Sequence, residues 1–152
     1  MLNLKLCSMN RLEPVSKIMT KKLVTLTLLD DLYKAEKLFK EHHIRHIPIV
    51  ENEHIIGMLG YSDLERISFL DAYDANETKI DNAVYKMLNI GQLMVKNLIK
   101  VSSSTTIKSV VEILSKNEFH ALPVVENNIL VGIVTTTDIL KYLLKQYELE
   151  LS

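Results

Sequence analysis

Apolar and polar positions along the chain fall into two periods, and the same succession of periods occurs twice. Leu32, Ala35 and Phe39 recur at helical spacing, as do Ile107, Val110, Val111 and Leu114, so each set predicts one buried helix face. Asp30 or Asp31 is placed to cap the first helix, and Thr105 or Thr106 the second, through side-chain oxygens that accept from free backbone amides. A short β-like stretch precedes each helix, at residues 23–26 and 98–101. Two strands follow each helix, 47–50 with 55–59 and then 122–125 with 130–134, joined by short polar connections that contain Asn52 or Asn127 and Asn128. Such connections between apolar runs predict hairpins. Pro48 and Pro123 demand an edge or an opening position, because proline cannot donate to a ladder. A second helix begins near Ser62-Asp63 and near Thr137-Asp138, where Ser62 and Glu65 have the spacing of a capping box. The predicted order is β-α-β-β-α, twice.

The two successions are copies at a fixed offset of 75 residues. Met19, Pro48, Gly57 and Asp63 return without a gap as Met94, Pro123, Gly132 and Asp138. A repeat of this kind sets the architecture before any side-chain chemistry does, and two similar halves facing each other create a groove. The reading is therefore an α+β chain with a leader (1–14), a first repeat (15–66), a linker (67–89), a second repeat (90–141) and a helix end (142–152). The linker carries Asp71, Asp74, Glu77 and Asp81 but no glycine, which a calcium loop needs for its turn, so it reads as a solvated connection leading into a helix around 80–88.

Composition narrows the class. Hydrophobic residues make up 47% and charged residues 24%, as in ordinary globular proteins. A net charge of −1 with dispersed cations gives no reason to expect nucleic acid. Cys7 is the single cysteine, which excludes an intramolecular disulfide and a cysteine-rich metal site. No apolar run approaches the ~18 residues that span a membrane, and the leader lacks the features of a signal peptide, so the expected location is the cytoplasm. No nucleophile, metal-ligand or phosphate-loop motif appears, and the chain is not expected to be an enzyme.

The chemistry concentrates in residues 132–138, Gly-Ile-Val-Thr-Thr-Thr-Asp. An apolar strand ends there in hydroxyls and an acid just as a helix begins. Free amides and threonine hydroxyls attract an anion such as phosphate, whereas the Asp138 carboxylate repels it and accepts from a diol. A nucleotide satisfies both; a helix capped by Thr137 and steadied by Asp138 explains the same residues without a ligand. Near Pro48 lie His42, His43, Arg45 and His46, and His120 stands at the position equivalent to Arg45. Arginine suits phosphate through its planar fork. His42 and His43 also fit the compensation of a helix C-terminus.

The β-α-β-β-α pair, the Pro-Val-Val-like strand opening and the Gly-apolar-apolar-Thr-x-x-Asp close resemble tandem CBS domains, named after cystathionine β-synthase. The resemblance covers both repeats, and short stand-alone CBS-pair proteins of the acetoin-utilisation type are similar in length. It implies a pseudo-twofold module packed through its sheets, a homodimer, and clefts that bind AMP, ADP, ATP or S-adenosylmethionine, with no metal. Residue by residue, it implies that Asp138 takes the ribose and that Thr135 and Thr137 are hydroxyl ligands near ribose and phosphate. Arg45, His46 and His120 match phosphate-binding basic positions of the gamma subunit of AMP-activated protein kinase, and Thr25 matches a first-strand threonine. Asp63 and Ser62 would form the repeat-one counterpart, where Gly60 replaces the threonine and Tyr61 is poised to fill the space. In repeat two, Ala121 and Lys100 replace the second basic residue and the first-strand threonine.

Two readings follow. The first is a regulatory sensor of an adenine nucleotide, acting on a partner protein the sequence does not identify. The second is a constitutive dimerisation scaffold whose groove is empty. The intact Thr135-Thr137-Asp138 set favours the first, and Gly60 and Ala121 favour the second.

Overall fold

A computed structural model describes residues 12–72 and 83–151 of the chain. Cys7 and the acidic linker residues Asp74, Glu77 and Asp81 lie outside the described residues. After a 3-10 turn at Val15–Lys17, the elements are α1 (Leu32–His42), β1 (His46–Glu51), β2 (His54–Gly60), α2 (Tyr61–Ala72), α3 (Ala83–Met87), α4 (Ile90–Leu93), α5 (Ile107–Lys116), β3 (Ala121–Glu126), β4 (Ile129–Thr135) and α6 (Thr136–Leu151). The α+β class is as expected. Of the helix expected around 80–88, the described part is α3.

The chain divides into two compact units. One is contiguous, Val24–Leu98; the other joins Met1–Leu23 to Ile99–Ser152. Each holds its own apolar cluster. In the contiguous unit, Leu32, Ala35 and Phe39 of α1 pack with Ile47, Ile49, Leu59 and Leu64. In the two-segment unit, Ile107 and Val110 of α5 pack with Leu122, Val124, Val134, Ile139 and Tyr142. Val111, expected in the second stripe, is 39% exposed. The buried face of α5 instead turns through Val110 toward Ile113 and Leu114, which leaves Val111 at its margin.

Both acids and both threonines proposed as caps are used, but for different jobs. Asp31 caps α1, accepting from the Lys34 amide at 2.8 Å, while Asp30 accepts from the Thr27 amide at 2.8 Å and closes the turn before it. Thr106 caps α5, accepting from the Ser109 amide at 3.1 Å, and Thr105 accepts from the Ser102 amide at 3.1 Å. At α2 the visible turn-closing acceptor is Asp63 rather than Ser62: its carboxylate takes the Gly60 amide at 3.0 Å.

β1 and β2 pair antiparallel, as do β3 and β4, with Glu51 opposite His54 and Glu126 opposite Ile129. The two-residue loops turn with positive φ at both positions, 48° and 68° at Asn52 and Glu53, and 49° and 65° at Asn127 and Asn128. That is the turn whose twist matches flanking strands. One register shift follows in each hairpin, between Ile49 and Val50 and between Val124 and Val125. The β-like stretches ahead of α1 and α5 contribute single parallel bridges, Leu26 to Ile49 and Val101 to Val124. There the Pro48 and Pro123 carbonyls accept from Leu26 and Val101, each at 3.1 Å. Within a strand, a residue's amide and carbonyl face the same side, so each proline's missing donor falls on the sparsely bonded side, away from its hairpin partner.

The lead-in of each repeat belongs to the other repeat's unit. Thr20 exchanges backbone hydrogen bonds with Ile133 at 2.8 and 3.0 Å, and Val95 does so with Met58 at 2.9 and 3.0 Å. The repeated methionines seal these contacts. A Cβ on Gly132 would stand 2.6 Å from the Met19 sulfur, and one on Gly57 would stand 2.4 Å from the Met94 sulfur. Glycine at both positions makes room for that close approach, and neither has a positive φ.

Candidate functional site

Asp138 sits in the first turn of α6, directly after the strand β4 that ends in Thr135. Its Oδ2 accepts from the Thr135 amide at 2.8 Å and from the Thr135 hydroxyl at 2.9 Å. The Asp138 amide in turn donates to the Thr135 hydroxyl oxygen at 3.2 Å. This closed ring of bonds fixes the carboxylate in one orientation. Among the described residues, Oδ1 takes no hydrogen bond and no ion pair. One oxygen is therefore anchored and the other is available, on a residue that is only half-buried. A vicinal diol offers the two donors such a carboxylate accepts.

Asp63 is the same device in a weaker form. The Gly60 amide reaches its Oδ2 at 3.0 Å, as the Thr135 amide reaches Asp138, but no hydroxyl joins it. Its Oδ1 is already taken by the Arg66 guanidinium at 3.1 Å. The two acids, at equivalent positions of the repeat, thus differ in what they have left to offer.

The remaining candidates divide between the units. Asp138, Thr135, Thr137 and His120 belong to the two-segment unit. Thr25, Arg45, His46, Asp63 and Ser62 belong to the contiguous one. Thr137 and Ser62 are exposed on the first turns of α6 and α2. His120 and Arg45 occupy equivalent places: their carbonyls accept from the Thr136 and Tyr61 amides at 3.0 and 2.8 Å, where each closing helix begins. Their side chains are exposed, whereas His46, which opens β1, and Thr25 are half-buried. Arg45 also lines a cavity of about 280 Å³ with Lys40, His43, Phe39 and Tyr61. There Tyr61 packs edge-on against Phe39, with ring centroids 5.4 Å apart, which anchors its ring on the core.

A larger cavity, of about 730 Å³, lies within the two-segment unit and has Asp138 in its wall. Lys17 and Lys21 of the lead-in and Lys141 and Lys145 of α6 line it, together with Glu13 and Tyr142. Glu13 accepts from the Tyr142 hydroxyl at 2.6 Å and pairs with Lys17 at 3.3 Å. That hydroxyl first, and then Lys17 and Lys145, hold the Glu13 carboxyl below its usual value, against the opposing effect of burial. Along the sequence these lysines read as dispersed cations. Lys141 and Lys145 do stand three and seven residues after Asp138, a helical spacing that puts them on its side of α6, but Lys17 and Lys21 join them only through the exchange of lead-ins. Among the described residues no group of His, Cys, Asp and Glu side chains is arranged to hold a metal ion, and no helix is long and apolar enough to cross a membrane.

The CBS domain profile matches residues 15–69 and 90–145. An uncharacterized protein, MJ1225, of Methanocaldococcus jannaschii is 31% identical over 132 residues, which are 86% of this chain and 43% of that protein. The chain spans less than half the length of this and similar curated relatives. Among solved structures, a provisional acetoin utilization protein (AcuB) of Vibrio cholerae superposes with a TM-score of 0.73 at 26% identity, covering 90% of this chain and 94% of that one. CBSX2 in complex with AMP superposes with a TM-score of 0.72 at 21% identity, covering 88% and 97%.

Proposed function

Since the chain belongs to the CBS domain family and carries two copies of that domain, we propose that it is a regulatory module sensing an adenine nucleotide at Asp138. The observation that carries this reading is the Asp138 carboxylate, anchored through one oxygen by Thr135 and open at the other. Open acceptors of fixed orientation suit a ribose diol, and leaving such hydroxyls unpaired costs about 1–3 kcal/mol. The AMP bound to CBSX2, a chain of the same fold, supports an adenosyl ligand. Thr137 adds a hydroxyl, with Thr25 as a further contact. Arg45 is the permanently charged candidate for a phosphate, with His46 and His120 beside it in role. The module is not itself an enzyme in this reading. It works in the cytoplasm as a homodimer and regulates a partner.

The scaffold reading draws its support from Asp63, whose second oxygen is occupied by Arg66, with Ser62 left at the surface. Calorimetry with adenosine, AMP, ADP, ATP and S-adenosylmethionine tests the two. Asp138→Ala is expected to weaken binding about tenfold or more, and Asp63→Ala by much less. A nucleotide at about a hundred times its dissociation constant should stabilise the fold by roughly 2.7 kcal/mol, a shift of several degrees. Arg45→Ala should weaken AMP and leave adenosine alone. If none of these ligands binds or moves the melting curve, the scaffold reading stands instead.

A further inference from the structure

Arg66 and Lys141 stand at equivalent positions of the repeat, each three residues along a closing helix from the acid Asp63 or Asp138. They use the same charge differently. The Arg66 guanidinium reaches Oδ1 of Asp63 at 3.1 Å, whereas Lys141 forms no ion pair among the described residues. A guanidinium is a planar fork matched to a carboxylate, while an ammonium is a compact, strongly hydrated charge on a flexible stem. One acid is closed and the other is left open. Gly60 adds a second difference. Among the described residues, Oδ2 of Asp63 takes only the Gly60 amide, at 3.0 Å, whereas amide and hydroxyl bonds to Thr135 lock Asp138.

We propose that Arg66 and Gly60 together keep the repeat-one site shut, so that the chain takes one adenine nucleoside, at Asp138, and not two. The inference rests on the adenine-nucleotide reading and deepens it by fixing how many ligands a chain holds and which residues decide. Neither residue does this alone. Arg66 is 75% exposed, and an exposed ion pair weakens a competing ligand by about fivefold at most. Without the hydroxyl, the Asp63 carboxylate turns about a single tether. A diol must then fix it as well as displace the guanidinium, which puts this site about tenfold or more below its counterpart. Repeat one has room for the repair. A Cβ on Gly60 would have side-chain atoms as its nearest neighbours, Oδ2 of Asp63 at 3.0 Å and Oγ of Ser62 at 3.5 Å. Gly60 has no positive φ, so threonine needs no unusual backbone there. The tighter contact is with the oxygen that a new hydroxyl would bond, as Thr135 bonds Asp138.

Calorimetry on the whole chain counts the sites, with adenosine as the probe because it carries the diol and no phosphate. Wild type is expected to bind one adenosine per chain, and Asp138→Ala to weaken it about tenfold or more. Gly60→Thr with Arg66→Lys gives repeat one the side chains of repeat two and should bind two per chain. Adding Asp63→Ala should return that variant to one. The converse change, Lys141→Arg, keeps the charge and should weaken adenosine by about three- to fivefold, an arm that stands even where the double variant fails to fold. A wild type that binds two per chain through Asp63, a folded double variant that stays at one, or an affinity indifferent to Lys141→Arg overturns the inference while the adenine-nucleotide reading survives. If adenosine does not bind wild type, the inference falls; if AMP does not bind either, the adenine-nucleotide reading falls with it.

Discussion

Glu53 turns the first hairpin at a φ of 68°, a conformation that suits asparagine or glycine far better than glutamate. The second hairpin has Asn128 in the same place at 65°. Glu53→Asn should therefore stabilise the fold by roughly 0.5–1 kcal/mol without touching the candidate site, because the replacement tolerates the left-handed region. Chemical denaturation measures it, and a midpoint that falls would mean Glu53 makes a contact worth more than the backbone relief. The sequence marked this turn through its asparagines, and it marked Asp63 as the weaker counterpart of Asp138, because Gly60 stands where Thr135 supplies a hydroxyl. What it did not reveal is that Arg66 occupies the free oxygen of Asp63. An Arg three residues along a helix either bonds back to the acid or extends into solvent, and local sequence fits both.

At the scale of elements, the buried faces of α1 and α5 and both hairpins were legible because each rests on a period of a few residues. The partner of each lead-in was not. Residues 15–20 and 90–95 carry similar apolar patterns, so each suits either repeat, and only long-range packing decides. The lead-in of repeat one is tied to α6 by the bond from the Tyr142 hydroxyl to Glu13, at 2.6 Å. Since the folded state holds Glu13 below its usual 4.5, this tether contributes stability above the ordinary carboxylate range. It is lost as pH falls through the folded-state value. Tyr142→Phe should cost about 1 kcal/mol near neutrality and progressively less in acid, read from melting curves between pH 7 and pH 3. A cost that stays constant over that range would assign the loss to packing rather than to the ionised pair.

For the molecule as a whole, the terminal helix separates two kinds of apolar residue that its sequence left mixed. Ile139 and Tyr142 are buried, whereas Leu140, Leu144 and Tyr147 are 65%, 59% and 65% exposed. With Leu151 these exposed residues follow a spacing of four, three and four, the seam that pairs helices. Under the homodimer proposal, Leu144→Glu should shift light scattering from dimer to monomer while leaving the melting temperature of the dilute protein nearly unchanged. A wild type that is monomeric at tens of micromolar would refute it. The exchange of lead-ins bears on something else, the order in which the molecule is made. The unit Val24–Leu98 is contiguous and lies inside the sequence of the other. It has all its parts once residue 98 has left the ribosome. Thr20 must wait for Ile133, the residue it bonds, a further 113 residues along. At ordinary synthesis rates that wait is on the order of ten seconds. The lead-in at residues 15–20 is thus made before the contiguous unit but completes its bonds only after that unit has all its parts.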